Sequence, residues 1–159
     1  MHIVLVEPEI PPNTGNIARL CAATASRLHL VGPLGFSVDD KAVRRAGLDY
    51  WHLVEVSVHL DFAHFLNAFR KDSPAGRLHL YSGMATTSYL DRPTAFGDAL
   101  VFGKESVGLS EELLDAYPED HVAIPTLGAV RSLNLANAVG IALFESLRRA
   151  DAFATTFMG

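Results

Sequence analysis

Three short stretches hold the side chains with the most chemical potential in this 159-residue chain. In EPEIPPNTGNIARLCA (7–22), Asn16 and Arg19 stand three apart on a helical pattern, on a flank away from its apolar positions. An arginine there can bind an anionic ligand through its planar fork, or it can be a solvated arginine in a surface ion pair. In ALVFGKESVGLS (99–110), an apolar run enters Gly103 and Glu105 follows. Ligands of open α/β sheets bind beyond the carboxyl ends of strands, where Gly103 falls, so Glu105 reads equally as a site carboxylate or a loop charge. In HVAIPTLGAVRSLNLANAVGIALFE (121–145), Ser132 and Asn134 open a helix. Both are good caps, and a helix amino end with free N–H groups also binds ligands.

Other chemistries have little support. His59 and His64 are five apart rather than the four of a helical metal pair, and Cys21 completes no zinc set. We expect no metal. No GxSxG elbow, GxGxxG turn or phosphate loop occurs, and GKES lacks the leading glycine of a P-loop. Tyr50-Trp51, after Arg44-Arg45, hints at base stacking, although a core tryptophan fits as well.

These residues need elements to hold them. Strands are predicted at His2–Val6, 28–31, 53–56, Leu78–Tyr81, Ala99–Phe102 and 122–124. Helices are predicted at 14–25, 41–46, 61–69, Glu111–Ala116 and 134–150, with Ser110 capping the fourth. In the first helix Ile17, Leu20, Cys21 and Thr24 form the core face, and two prolines stiffen the turn before it. The last pattern is apolar around most of its circumference, so it must be buried, and Ala136, Ala138, Gly140 and Ala142 would let another backbone approach closely. The alternation indicates an α/β fold, a mainly parallel sheet with helices on both faces. Length and a 49% hydrophobic content fit one domain over residues 1–159. The tail 151–159 reads as loose or packed on a partner.

One cysteine, no basic leader before the first strand and no apolar run near the roughly 18 residues of a membrane span point to the cytoplasm. Cys21 itself reads as a packing residue. The net charge of −5 argues against nucleic acid, but the charge is segregated. Lys41, Arg44 and Arg45 cluster, Arg131, Arg148 and Arg149 surround the last helix, and acids concentrate between Glu105 and Asp120. RNA therefore stays open as a partner, with Arg44, Arg45 and Arg131 as candidate contacts.

Taken in this order, the three stretches resemble the motifs of the knotted (SPOUT) RNA 2′-O-methyltransferases. The resemblance covers nearly the whole chain and is closest to the short enzymes that methylate the wobble nucleotide of tRNA; DDKAVRRAGLDYWH (39–52) is similar to a stretch typical of them. The resemblance implies a carboxyl-terminal trefoil knot, S-adenosylmethionine as methyl donor without a metal, tRNA as substrate, and a homodimer. By motif position, Tyr81, Gly103, Ile124 and Ser132 would contact the cofactor, mostly through backbone groups. Arg19, Glu105 and Asn134 match the family's catalytic positions, with Arg19 reaching toward the cofactor of the other protomer. The chain departs from the pattern at Phe144, where the nearest relatives often carry tyrosine.

The reaction implied is attack by a ribose 2′-hydroxyl on a sulfonium methyl. A guanidinium resists deprotonation, which favours Arg19 binding phosphate and stabilising the developing alkoxide over acting as base. Competing readings are a knotted enzyme acting on rRNA or another tRNA position, a non-catalytic RNA-binding module, and a flavodoxin-like small-molecule regulator.

Overall fold

The computed structural model describes residues 1–38, 51–129 and 132–154. Its frame is a six-stranded sheet in which every pairing is parallel. The strands are β1 (His2–Val6), β2 (Arg27–Val31), β3 (Val56–His59), β4 (Leu78–Tyr81), β5 (Ala99–Phe102) and β6 (His121–Val122), in the order β3-β2-β1-β5-β4-β6. The described helices are α1 (Pro11–Thr24), α2 (Phe62–Asp72), α3 (Glu111–Ala116) and α4 (Leu135–Arg149).

Parallel strands buried on both faces read as continuous apolar runs, and the core divides accordingly. Ile3, Leu5, Leu28, Leu30, Leu100 and Phe102 turn to one face, under Ile17, Ala18 and Cys21 of α1 and Val139, Ala142 and Leu143 of α4. Val4, Val31, Leu80 and Val101 turn to the other, under Phe65 and Phe69 of α2 and Leu113 and Leu114 beside them on α3. Helices thus cover both faces, as expected. Burial pushes the Cys21 thiol up to about 12, so it is an inert packing group.

Local differences from the sequence reading have specific causes. The expected strand at 53–56 is a 3-10 turn at Trp51–Leu53 followed by β3, because pairing with β2 sets Val56 beside Leu28 and Val58 beside Leu30. Of β3 only His59 is buried, so the pairing with β2, and not the apolar run LVEV, holds this register. Trp51 packs against the core of the α1 face. The expected strand at 122–124 is His121–Val122, after which Ala123 bridges to Ser88 rather than to β4. The helix expected at 61–69 runs on to Asp72, and Asp61 caps it by accepting from the N–H of His64. That expected at 41–46 falls outside the described residues.

The first helix begins at Pro11, not at residue 14. Pro11 and Pro12 are its first two residues, where a missing N–H costs nothing, so they start the helix instead of stiffening a turn before it. The buried stripe shifts with it to Asn13, Thr14, Ile17, Ala18 and Cys21, leaving Leu20 and Thr24 half-buried. The last helix is also less enclosed than its composition implies. Ile141 and Phe144 are 41% and 46% exposed, and a Cβ on Gly140 would meet only the Leu20 side chain, at an ordinary 3.6 Å. Among the described residues no tight backbone approach demands that glycine.

Candidate functional site

The strand order places the carboxyl ends of β1 and β5 side by side, and the chain leaves toward β2 and β3 on one hand and β4 and β6 on the other. Such a divergence opens a crevice between the two exit loops. Here those loops, residues 7–10 and 103–110, are laced together. The Glu105 carboxylate accepts from the N–H of Glu9 (2.8 Å) and of Ile10 (3.2 Å), and from Nδ2 of Asn13 (3.1 Å). In return Glu9 accepts from the N–H of Ser106 (3.1 Å), and Lys104 reaches Glu7 (2.8 Å).

This lacing follows from how α1 starts. Its N-cap residue is Ile10, which has no side-chain acceptor, and the two prolines bring no donors of their own. In a capping box the residue at the third helical position carries a carboxylate back to the N-cap N–H. That position holds Asn13, and Glu105 supplies the carboxylate from another loop. Both Glu105 oxygens are therefore engaged within the protein, joining the loop after β5 to the start of α1.

Asn13 also ties in the third stretch. Its Oδ1 accepts from Nδ2 of Asn134 (3.1 Å), whose own Oδ1 caps α4 by accepting from the N–H groups of Ala136 (3.0 Å) and Asn137 (3.3 Å). Glu105 and Asn134 are thus brought together through Asn13, a residue of the first stretch that its spacing did not single out. The signal was present: two prolines ahead of it move the helix start back and put Asn13 at the third position, facing the site.

Gly103 lies at the close approach that allows the second loop to turn. A Cβ there would stand 2.0 Å from the carbonyl carbon of Gly108 and 2.1 Å from the nitrogen of Leu109. Gly108 follows with φ +79, the left-handed region that suits glycine, and its N–H donates to Lys104 (2.8 Å). Tyr81 ends β4 with its ring stacked on Phe102 (4.5 Å between centroids, 13°). Burial, then the neighbouring Tyr89, raises its pKa, so the phenol stays neutral. Its side chain is committed to the core, which leaves backbone groups for any ligand. Ile124 is half-buried against the core of the α1 face, and Ser132 is exposed ahead of the Asn134 cap.

Arg19 and Asn16 are exposed on one side of α1, as their spacing implied. Arg44, Arg45 and Arg131 lie outside the described residues. Of the basic residues on the last helix, Arg148 and Arg149 both bond Glu145, which they hold down at about 2, and Arg149 also donates to the carbonyl of Leu90. No group of His, Cys, Asp and Glu that could hold a metal occurs among the described residues.

The SpoU rRNA Methylase family matches residues 1–144. The chain belongs to that family. Among SpoU relatives it is similar to the tRNA (cytidine(34)-2'-O)-methyltransferase of Burkholderia pseudomallei (strain 1106a), with 47% identity over 150 residues, covering 94% of this chain and 95% of that one. A solved structure concerned with the 2-OH methylation of C/U34 on tRNA is 44% identical and superposes with a TM-score of 0.86, covering 95% of this chain and 96% of that one. A third relative is an AdoMet-bound rRNA methyltransferase from Sinorhizobium meliloti, 25% identical with a TM-score of 0.78, covering 92% of this chain and 55% of that one. The residues matched by the SpoU family contain the first two stretches and all but the last residue of the third.

Proposed function

We propose that this chain transfers the methyl group of S-adenosylmethionine to the ribose 2′-hydroxyl of nucleotide 34, cytidine or uridine, of tRNA. The carrying observation is the 47% identity to a tRNA (cytidine(34)-2'-O)-methyltransferase over 94% of the chain. It favours the tRNA wobble position over the rRNA named in the family's description, because the rRNA methyltransferase of Sinorhizobium meliloti is 25% identical and is covered over 55% of its length, against 47% and 95% for the tRNA enzyme.

The crevice fits such a cofactor in kind. The exits of β4, β5 and β6 bring Tyr81, Gly103 and Ile124 to one edge of the sheet, and the exposed Ser132 precedes the α4 amino end. Backbone groups at these positions, the half-buried Ile124 and the Ser132 hydroxyl suit an adenosine and an amino-acid moiety. When bound, the cofactor supplies an activated methyl, so the remaining work is largely positioning. Arg19 binds the phosphate beside the target ribose and stabilises negative charge on the 2′-oxygen as it takes the methyl group, with the hydroxyl proton passing to solvent and S-adenosylhomocysteine leaving, a role suited to a group that resists deprotonation. Glu105 and Asn134 hold the loops that frame the reacting atoms.

The protein acts as a homodimer in the cytoplasm, with Arg19 of one protomer serving the site of the other. In support, Ile141, Phe144 and Phe153 are exposed together at the end of the chain, with Phe144 and Phe153 stacked at 5.8 Å. The last helix is the threaded element of a knot. In support, β6 lies at one edge of the sheet, whereas α4 packs back on α1 and β5 near its centre. Phe144 fills the position of the relatives' tyrosine with a ring stacked on Phe153, so it offers no hydroxyl there.

The reading is tested with tRNA transcripts and labelled S-adenosylmethionine. Label should enter a wild-type transcript and be absent when nucleotide 34 carries 2′-deoxyribose; equal labelling of both transcripts rules out this position.

A further inference from the structure

The hydrogen bonds that join the three loops have a fixed polarity. Glu105, as a carboxylate, only accepts, so Asn13 must present Nδ2 to it and Oδ1 to the other side. Asn134 must then present Nδ2 to Asn13, which turns its Oδ1 toward the free N–H groups of α4. Every donor in the series points toward Glu105. Neither amide can turn over without putting two acceptors or two donors face to face. At one end the carboxylate also fixes the N–H groups of Glu9 and Ile10, which set the start of the helix that carries Arg19.

We infer that Asn13 is a positioning residue: it transmits the orientation set by Glu105 to the amide of Asn134, and so sets the segment 132–134 that approaches the cofactor. Asn13 is 7% exposed, with both amide atoms bonded within the protein, so its contribution passes through its partners. Segment 132–134 has no place in a helix or strand of its own. The Asn134 link to Asn13 anchors it to α1, as the Asn134 cap anchors it to α4. The inference rests on the proposed cofactor site for its functional half and on geometry alone for its structural half.

Polarity gives a test that simple loss of a contact does not. Asn134→Asp keeps the cap, since aspartate is as good an N-cap and suits the helix amino end. It also sets a second carboxylate against Asn13, so one of Asn13's two contacts must fail. Adding Glu105→Gln offers a donor from the opposite side and lets Asn13 turn over, reversing the whole series, while leaving the Ile10 N–H without its carboxylate oxygen. Thermal unfolding and calorimetric affinity for S-adenosylmethionine are measured for the parent, Asn13→Ala, Asn134→Asp, Glu105→Gln and the double variant. Asn13→Ala and each of the other single variants should lose about tenfold or more in affinity. The double variant should bind at least tenfold better, and unfold at a higher temperature, than the sum of its two single changes allows. Strict additivity in unfolding temperature, or unchanged affinity in Asn13→Ala, overturns the inference. A parent that does not bind S-adenosylmethionine defeats the proposed function, and the unfolding temperatures of the double variant then decide the relay by themselves.

Discussion

Arg19 and Glu105 are both charged and both lie in the stretches that suggest chemistry, yet the fold treats them differently. Glu105 receives three N–H donors from the turn before α1 and from Asn13, whereas Arg19 stands on the exposed side of that helix. In the proposed reaction the carboxylate would hold the loops in place and the guanidinium would meet the substrate. Arg19→Lys keeps the charge but loses the planar fork. Steady-state kinetics should show kcat falling by about tenfold or more, with cofactor affinity measured by calorimetry unchanged; parental turnover would remove the role given to the fork. Gly103→Ala is a different kind of change, because its Cβ would lie 2.0 Å from backbone and not against a movable side chain. It should cost on the order of 3 kcal/mol in chemical denaturation, and a change below about 0.5 kcal/mol would mean the 103–108 turn relaxes freely.

Among the elements, strands with continuous apolar runs were legible from the sequence, and β1, β4 and β5 have the predicted bounds. What was not legible depended on partners distant in the chain. The register of β3 is set by β2, and the start of α1 is stabilised by a glutamate 95 residues away. A row of histidines was equally hidden, because spacing along the chain says nothing of neighbours across a sheet. His2, His29 and His59 sit on β1, β2 and β3 under Phe65 and Phe69, linked Nδ1 to Nε2 at 2.9 and 3.0 Å. Burial, reinforced by the nearby amino terminus, lowers His2 to about 4; burial and its two histidine neighbours lower His29 to about 3. Their folded-state values lie below the ordinary 6.5, so the unfolded chain takes up protons first as the medium is acidified. Stability should be level above pH 6.5 and decline toward pH 4, by on the order of 3 kcal/mol. Urea unfolding across that range checks it, and a level profile down to pH 4 would show that the row accepts protons without cost. Gly140 gives the opposite sign. With 3.6 Å of room for a Cβ, Gly140→Ala should raise stability by about 0.5–1 kcal/mol in the same assay.

At the scale of the whole molecule, a parallel sheet diverging at β1 and β5 leaves one crevice at the carboxyl ends of its strands, and the three sequence motifs meet there. The motifs themselves were legible because each is a strand end followed by residues with unusual demands: prolines, a glycine that admits no Cβ, or an amide cap. The link between them was not, since it runs through Asn13, an ordinary residue at a helix start. Ile141, Phe144 and Phe153 are exposed apolar side chains, which the second protomer of the proposed dimer would cover. Phe144→Glu should convert the dimer to monomer in sedimentation at micromolar concentration and lower activity with it; a fully active monomer of the parent protein would exclude the shared site. The proposed reaction adds one methyl group to one oxygen atom of one nucleotide. Incubation with S-adenosylmethionine and a mixture of tRNA and rRNA lacking wobble methylation, followed by mass mapping of nuclease fragments, should place one added methyl group on the ribose of tRNA nucleotide 34. Methylation found only in rRNA, or at another tRNA position, would contradict it.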